Sequence, residues 1–169
     1  MLILSTERLN LRTVNADDAP FYLELVNDPS WIANIGDRNL HTVEAARAAL
    51  LEGPVAMQMR LGYSLYLVER RSDGVPMGLC GLLKRDFLPG VDIGYALAPR
   101  YWGHGYALEA ATAVMHQARD QFKQPCLLAI THPDNQASIA LLGKLGLQFV
   151  ERKQLPGYDG DSNIYRKDF

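Results

Sequence analysis

The chain has 169 residues, 48% of them hydrophobic, which suits one domain with a substantial core and leaves little room for a second. A formal net charge of -2 with no block of like charges excludes a global attraction to nucleic acid or to anionic membrane, and favours small-molecule or protein partners. Cys80 and Cys126 sit in apolar runs and make no disulfide framework, Met1-Leu2-Ile3-Leu4 is too short for a signal peptide, and no run approaches the roughly 18 apolar residues of a membrane span, so a cytoplasmic location is the expectation.

Leu9 to Thr13 alternates apolar and polar residues and predicts a first strand. Asp17-Asp18 ahead of Pro20 predicts a helix running to about Asn27, since acidic groups suit a helix start and proline needs no N–H there. Asp28-Pro29 ends it, and Trp31 to Gly36 follows as a short helix or loop in which Trp31 and Ile35 either cap the core or wall a pocket. Thr42 and Glu44 open another helix that fades near Gly53-Pro54, while Val55 to Arg60 carries no clear pattern. Tyr63 to Arg70 and Pro76 to Lys84 are strand-like around Ser72-Asp73-Gly74, a hairpin signal. Gly78 and Gly81 in the second run imply a ligand's close approach, a bulge, or a packing demand from a helix crossing the sheet.

After a turn at Asp86 to Gly90, Val91 to Leu97 is the next strand, and Pro99 stops it because proline cannot donate to a ladder. Gly103 and Gly105 leave backbone N–H groups uncovered just where a helix begins, a surface that suits an anion. From Tyr106 onward Leu108, Ala111, Met115, Ala118 and Phe122 recur at helical spacing. Gln124-Pro125 breaks that helix, and Cys126 to Ile130 is continuously apolar, as a buried central strand is. Thr131 to Asp134 is a loop, Asn135 to Leu145 a helix stopped by Gly146, and Leu147 to Val150 a strand. Leu155 to Asp161 is a loop before a last strand at Asn163 to Arg166. Asn135, Ser138 and Leu142 share one helical face, so two polar groups begin an apolar stripe, either to satisfy local backbone or to meet a ligand. Strands alternating with helices around one hairpin make the class mixed α/β (α+β) with a largely antiparallel sheet.

Trp102-Gly103-His104-Gly105-Tyr106-Ala107 resembles the acyl-CoA pyrophosphate loop of the GNAT acetyltransferases, Gln/Arg-x-x-Gly-x-Gly/Ala, in the branch containing the N-terminal acetyltransferases of ribosomal proteins. Trp102 departs from that pattern and removes a side-chain donor, which leaves the phosphate contacts to backbone N–H groups. Asn135-Gln136-Ala137-Ser138-Ile139-Ala140-Leu141-Leu142-Gly143-Lys144-Leu145-Gly146-Leu147 is similar to the second GNAT signature, and Ser5 to Arg12 resembles the branch's first strand. The resemblance implies one GNAT-like domain over residues 1–169, with its sheet splayed at the acyl-CoA site and flanked by helices.

It also implies acetyl-CoA as cosubstrate, no metal, and an amine acceptor, either a protein N-terminus or a small molecule, with homodimerisation left open; the charge balance adds the expectation of no nucleic acid or membrane partner. Tyr95, Ala96 and Leu97 then offer backbone to the pantetheine arm, Asn135 binds that arm, and Trp31 and Ile35 wall the acceptor pocket. Many members place a Tyr that protonates the departing thiolate where this chain has Leu142; in the ribosomal branch Ser138 matches the group that takes the role. A glutamate base found in some members corresponds to Ile130, apolar here, and another used by histone-acetyltransferase relatives corresponds to Asp92, which becomes the candidate base and acceptor contact. Without the Tyr, a noncatalytic acyl-CoA-binding module is the alternative.

Other motifs fail on particular residues. Leu108 occupies the third glycine position of a dinucleotide loop, Gly143-Lys144 lacks a preceding glycine loop, and His41, His104, His116 and His132 have no paired metal spacing.

Overall fold

One sheet of eight strands runs through the computed structural model, which describes residues 1–169. The strands are β1 Leu2–Ser5, β2 Leu9–Thr13, β3 Leu65–Arg70, β4 Pro76–Lys84, β5 Val91–Leu97, β6 Cys126–Thr131, β7 Gln148–Gln154 and β8 Asp161–Asp168, in spatial order β1-β2-β3-β4-β5-β6-β8-β7. Every neighbouring pair is antiparallel except β5 and β6, which are parallel and meet at a single register pair, Asp92 with Leu128. Beyond that pair the two strands part. From Ile93 to Leu97 the edge of β5 that faces β6 has no ladder partner, so its peptide groups are left for another donor or acceptor.

Six α-helices cover the sheet: α1 Ala19–Val26, α2 Pro29–Asn34, α3 Val43–Leu50, α4 Ala56–Leu61, α5 Tyr106–Asp120 and α6 Gln136–Leu145. The strand period of two divides their partners. Val91, Ile93 and Leu97 of β5 turn to one face and pack with Ala110, Ala111 and Val114 of α5 and with Leu142 and Leu145 of α6. Leu67 and Leu79 turn to the other face, where Leu25, Val26, Trp31 and Leu50 complete a second core. Each fully buried Leu there contributes about 1.5–3 kcal/mol of transfer free energy. No helix is long and apolar enough to cross a membrane.

The helix starts follow their caps. Asn15 and Asp18 form a reciprocal capping box around the short 3₁₀ turn Ala16–Asp18, and α1 begins immediately after it with proline in its first turn. Asp18 also receives both Nη groups of Arg12, at 2.8 and 2.9 Å, which fastens this turn to β2. The Asp28 and Thr42 side chains cap α2 and α3.

The structure corrects the predicted pattern in several places. The helix after Thr42 does not fade at Gly53-Pro54: Leu51–Val55 forms a π-helical turn that holds Pro54, and α4 continues to Gly62, which closes it at φ 78°. The wider turn absorbs the hydrogen bond that proline cannot donate. β1 is an additional edge strand, short and only partly buried, so no alternation announces it. β7 extends to Gln154 through exposed Glu151, Arg152 and Lys153, because ladder bonds to β8, rather than burial, sustain it. At Gly78 and Gly81 the crowding comes from backbone of the flanking strands, at Ala96-Leu97 and Ser64-Leu65, and not from a crossing helix.

Candidate active site

The parting of β5 and β6 opens onto a cavity of about 860 Å³. Its walls come from both faces of the sheet. Tyr95, Ala96 and Leu97 of β5 form one side, Trp102, Gly103, Gly105, Tyr106 and Ala107 the mouth, and Asn135 and Ser138 of α6 the opposite wall. Trp31 of α2 and Ile35 just after it also line the cavity. Trp31 is 6% exposed and also belongs to the second core, so it caps the core and walls the pocket at once. Twelve of the fourteen residues singled out from sequence therefore meet in one space. His104 and Asp92 do not line it.

The loop at the mouth is shaped for an anion. Gly103 and Gly105 hold φ angles of 79° and 78°, a left-handed conformation that side chains rarely adopt, and Gly105 carries no capping side chain at the start of α5. The N–H groups of Gly103, His104 and Gly105 find no backbone acceptor, and the first-turn N–H groups of α5 point the same way. Trp102 spends its indole N–H on the Leu97 carbonyl at 2.8 Å, tying the loop to the end of β5.

Two residues that sequence reasoning did not assign hold this loop in place. Arg8, between β1 and β2, donates from Nη1 to the His104 carbonyl at 2.9 Å and lies 4.3 Å over the Tyr106 ring. Its Nε meets Glu109 Oε2 at 2.7 Å, while the Thr6 hydroxyl and the Arg8 backbone N–H converge on Oε1. Burial pushes the Glu109 carboxyl up, but the Thr6 hydroxyl and the Arg8 backbone and guanidinium donors outweigh it and hold it below its ordinary value. His104 thus acts in the loop through its carbonyl, with its ring exposed outside the cavity.

On α6, Asn135 serves two purposes. Its Oδ1 accepts the Ser138 N–H at 3.2 Å as a helix cap, which leaves its amide NH₂ uncommitted beside the cavity. The Ser138 hydroxyl lies 2.7 Å from the Tyr95 hydroxyl across the gap between β5 and α6. Leu142 is fully buried in the core and takes no part.

Asp92 needs a correction as a direct acceptor contact. Its side chain is 0% exposed beneath the cavity wall, with Arg85 Nε 3.3 Å away and with neither carboxylate oxygen hydrogen-bonded. Burial pushes its pKa up to about 6 against the opposing pull of Arg85. Arg85, which does line the cavity, also contacts the Tyr158 hydroxyl, so the loop between β7 and β8 joins the wall. That loop and Arg85 carried no signal in the sequence beyond turn residues and a lone charge.

Comparison with known proteins agrees over most of the chain. Residues 8–148 match the Acetyltransferase (GNAT) domain family. The chain is 29% identical to YkkB of Bacillus subtilis over 152 residues, covering 86% of this chain and 85% of YkkB. It is 27% identical over 169 residues to the uncharacterized N-acetyltransferase YoaA of the same bacterium, covering 96% and 94%. Among solved structures, RimL, a ribosomal L7/L12 alpha-N-protein acetyltransferase in complex with coenzyme A, superimposes with a TM-score of 0.84 at 20% identity, over 99% of this chain and 98% of RimL, and shares the fold.

Proposed function

The chain belongs to the GNAT acetyltransferases, and from that membership we propose that it moves an acetyl group from acetyl-CoA to a primary amine. The thioester supplies an activated acyl carbon, which the amine attacks directly to give a tetrahedral intermediate that collapses with loss of the thiolate. The observation that carries this reading is the unpaired edge of β5 opening onto a cavity whose mouth is the Gly103–Gly105 turn.

Each part of the cavity then has a task. Backbone N–H groups of the loop and of the first turn of α5 hold the pyrophosphate, where charge-assisted bonds exceed neutral ones in strength. The open edge at Tyr95 to Leu97 and the Asn135 amide hold the pantetheine arm. Ser138 donates a hydrogen bond to the thiolate as it leaves, and the Trp31 and Ile35 end receives the acceptor. Asp92 takes the ammonium proton through a water that reaches it past Arg85, since its own oxygens lack donors and its pKa near 6 leaves it ionised at neutral pH.

The acceptor set includes protein N-termini, because RimL, which shares the fold, is a protein alpha-N-acetyltransferase, and small-molecule amines. The test is CoA-thiol release from acetyl-CoA against a panel of N-terminal peptides, amino acids and polyamines. Turnover with one class identifies the acceptor; acetyl-CoA binding without turnover on any amine rejects the catalytic reading and favours an acyl-CoA-binding module.

A further inference from the structure

The hydroxyls of Tyr95 and Ser138 meet at 2.7 Å from opposite walls of the cavity, one carried by a strand and the other by the first turn of a helix. Nothing in local secondary structure requires this bond. Both residues line the cavity, and the bond spans it between β5 and α6.

We propose that Tyr95 is a positioning residue: it donates to Ser138 Oγ and so turns the Ser138 hydroxyl hydrogen toward the sulfur of the departing thiolate. This rests on the acetyl-transfer reading above and adds to it a named residue on the opposite wall. A free serine hydroxyl rotates among three staggered positions and bonds whatever acceptor is nearest. An external donor to Oγ occupies one lone pair and leaves the O–H to find an acceptor elsewhere.

Tyr95 Oη lies 2.7 Å from Ser138 Oγ and 3.3 Å from the Ser138 carbonyl, and in the shorter contact either hydroxyl can be the donor. Burial pushes the phenol well above its ordinary value, so Tyr95 keeps a proton to give, and with Tyr95 donating the Ser138 O–H is freed for sulfur. Leu142, which carries no polar hydrogen, is fully buried and does not line the cavity, so the hydroxyls of Tyr95 and Ser138 are the ones the strand and the helix offer here. No proton has to leave Tyr95. As the C–S bond breaks, its electron pair goes to sulfur, and Ser138 donates a hydrogen bond to it.

The experiment is a double-mutant cycle on Tyr95→Phe, Ser138→Ala and the combined variant, reading kcat, acetyl-CoA Kd by calorimetry, and thermal stability. Ser138→Ala should lower kcat about 10- to 100-fold, below the usual full acid-base contribution, because a thiolate can leave unassisted. Tyr95→Phe should lower kcat by a similar factor with Kd unchanged, and the combined variant should be no slower than Ser138→Ala. Losses that multiply, or a Tyr95→Phe enzyme at full kcat beside a slow Ser138→Ala, overturn the positioning role while leaving Ser138 intact. Full kcat in Ser138→Ala overturns both roles. Wild-type acetyl-CoA binding with no amine-dependent CoA release rejects the acetyl-transfer reading instead. If Tyr95→Phe fails to fold, 3-fluorotyrosine at position 95 keeps the ring and hydroxyl; its effect on kcat should vanish in the Ser138→Ala background, and an equal effect in both backgrounds overturns the proposal.

Discussion

Asp92 and Leu128 are the one pair of residues at which β5 and β6 share a ladder, and the cavity begins where that pairing stops. The pair fixes the depth of the splay. Leu128 packs with Leu88, Leu155 and Ile164 on one side, and Asp92 is closed over by Arg85, so the strands are pinned at this end and free at the other. A parallel pair cannot be joined by a tight turn, and the connection here is α5 itself. The helix that bridges the two strands thus delivers its N-terminus to the open end of the splay.

Gly105→Val should weaken acetyl-CoA binding at least about tenfold. A β-branched residue is strained at φ 78°; its Cβ would meet Arg8 Nη2 at an ordinary 3.5 Å, so the loss comes from distortion of the loop backbone and from the added γ-carbons at the mouth. One or two lost charge-assisted bonds, at about 1.5–3 kcal/mol each, give at least that change in Kd. Calorimetry on the folded variant checks it; an unchanged Kd removes the phosphate role of this loop.

Glu109→Gln should lower both stability and acetyl-CoA affinity. The amide keeps the shape but cannot accept from Thr6 and from both Arg8 donors as an ionised carboxylate does. Hydrogen bonds to charged groups contribute about 1.5–3 kcal/mol, so a melting-point drop of several degrees accompanies the weaker binding. The Glu109 carboxyl sits below its unfolded value, so its contribution is present above that value and is lost as pH falls through the folded one. In the Gln variant this acid-side loss should disappear from denaturation measured across pH.

The Gly-rich loop, the helices after Gly105 and Asn135, and all the central strands were legible because each combines a local signal with burial: apolar spacing, a breaker and a cap agree. What the sequence hid is of another kind. Arg8 and Glu109 are about a hundred residues apart, and either one alone reads as an ordinary surface charge. Arg85 and Tyr158 meet only because β8 lies between β6 and β7. Asp92 matched a base by resemblance, but it sits at the one rung where β5 still pairs with β6, short of the opening, and Arg85 covers it. Pairings of this type follow from topology, on which local pattern is silent.

Ile35→Trp should raise the KM for the amine while leaving acetyl-CoA Kd within about twofold. Ile35 is partly buried, packs on the same core as Trp31 and lines the cavity with it, so under the proposed acceptor role added bulk there competes with the amine. A rise in KM at constant kcat marks lost ground-state binding, and steady-state kinetics in both substrates separates the two. Weaker acetyl-CoA binding with an unchanged amine KM would move the acceptor end elsewhere.

Asp92→Asn makes two predictions of opposite character. For catalysis, a base with a pKa of about 6 is ionised above that pH, so wild-type kcat/KM for the amine should rise through pH 6 and the variant should lack that limb. The loss should be largest below the acceptor's own pKa, where a proton must be removed, and smaller once free amine dominates; general-base loss costs about 10²- to 10⁴-fold, and the water relay blunts it toward the lower figure. A pH profile scaled uniformly, with its shape kept, counts against Asp92 as base. For stability, the folded pKa stands above the unfolded 3.8, so the folded state retains the proton longer. Asp92 therefore favours the fold fully below about 3.8 and loses that contribution as pH rises through about 6, an interval equivalent to about 3 kcal/mol. Asparagine does not titrate. The stability of the wild type relative to the variant should accordingly fall between pH 4 and pH 6 by up to that amount, measured by denaturant unfolding at each pH, and a difference that rises with pH over this range would show that Arg85 outweighs burial at this carboxylate.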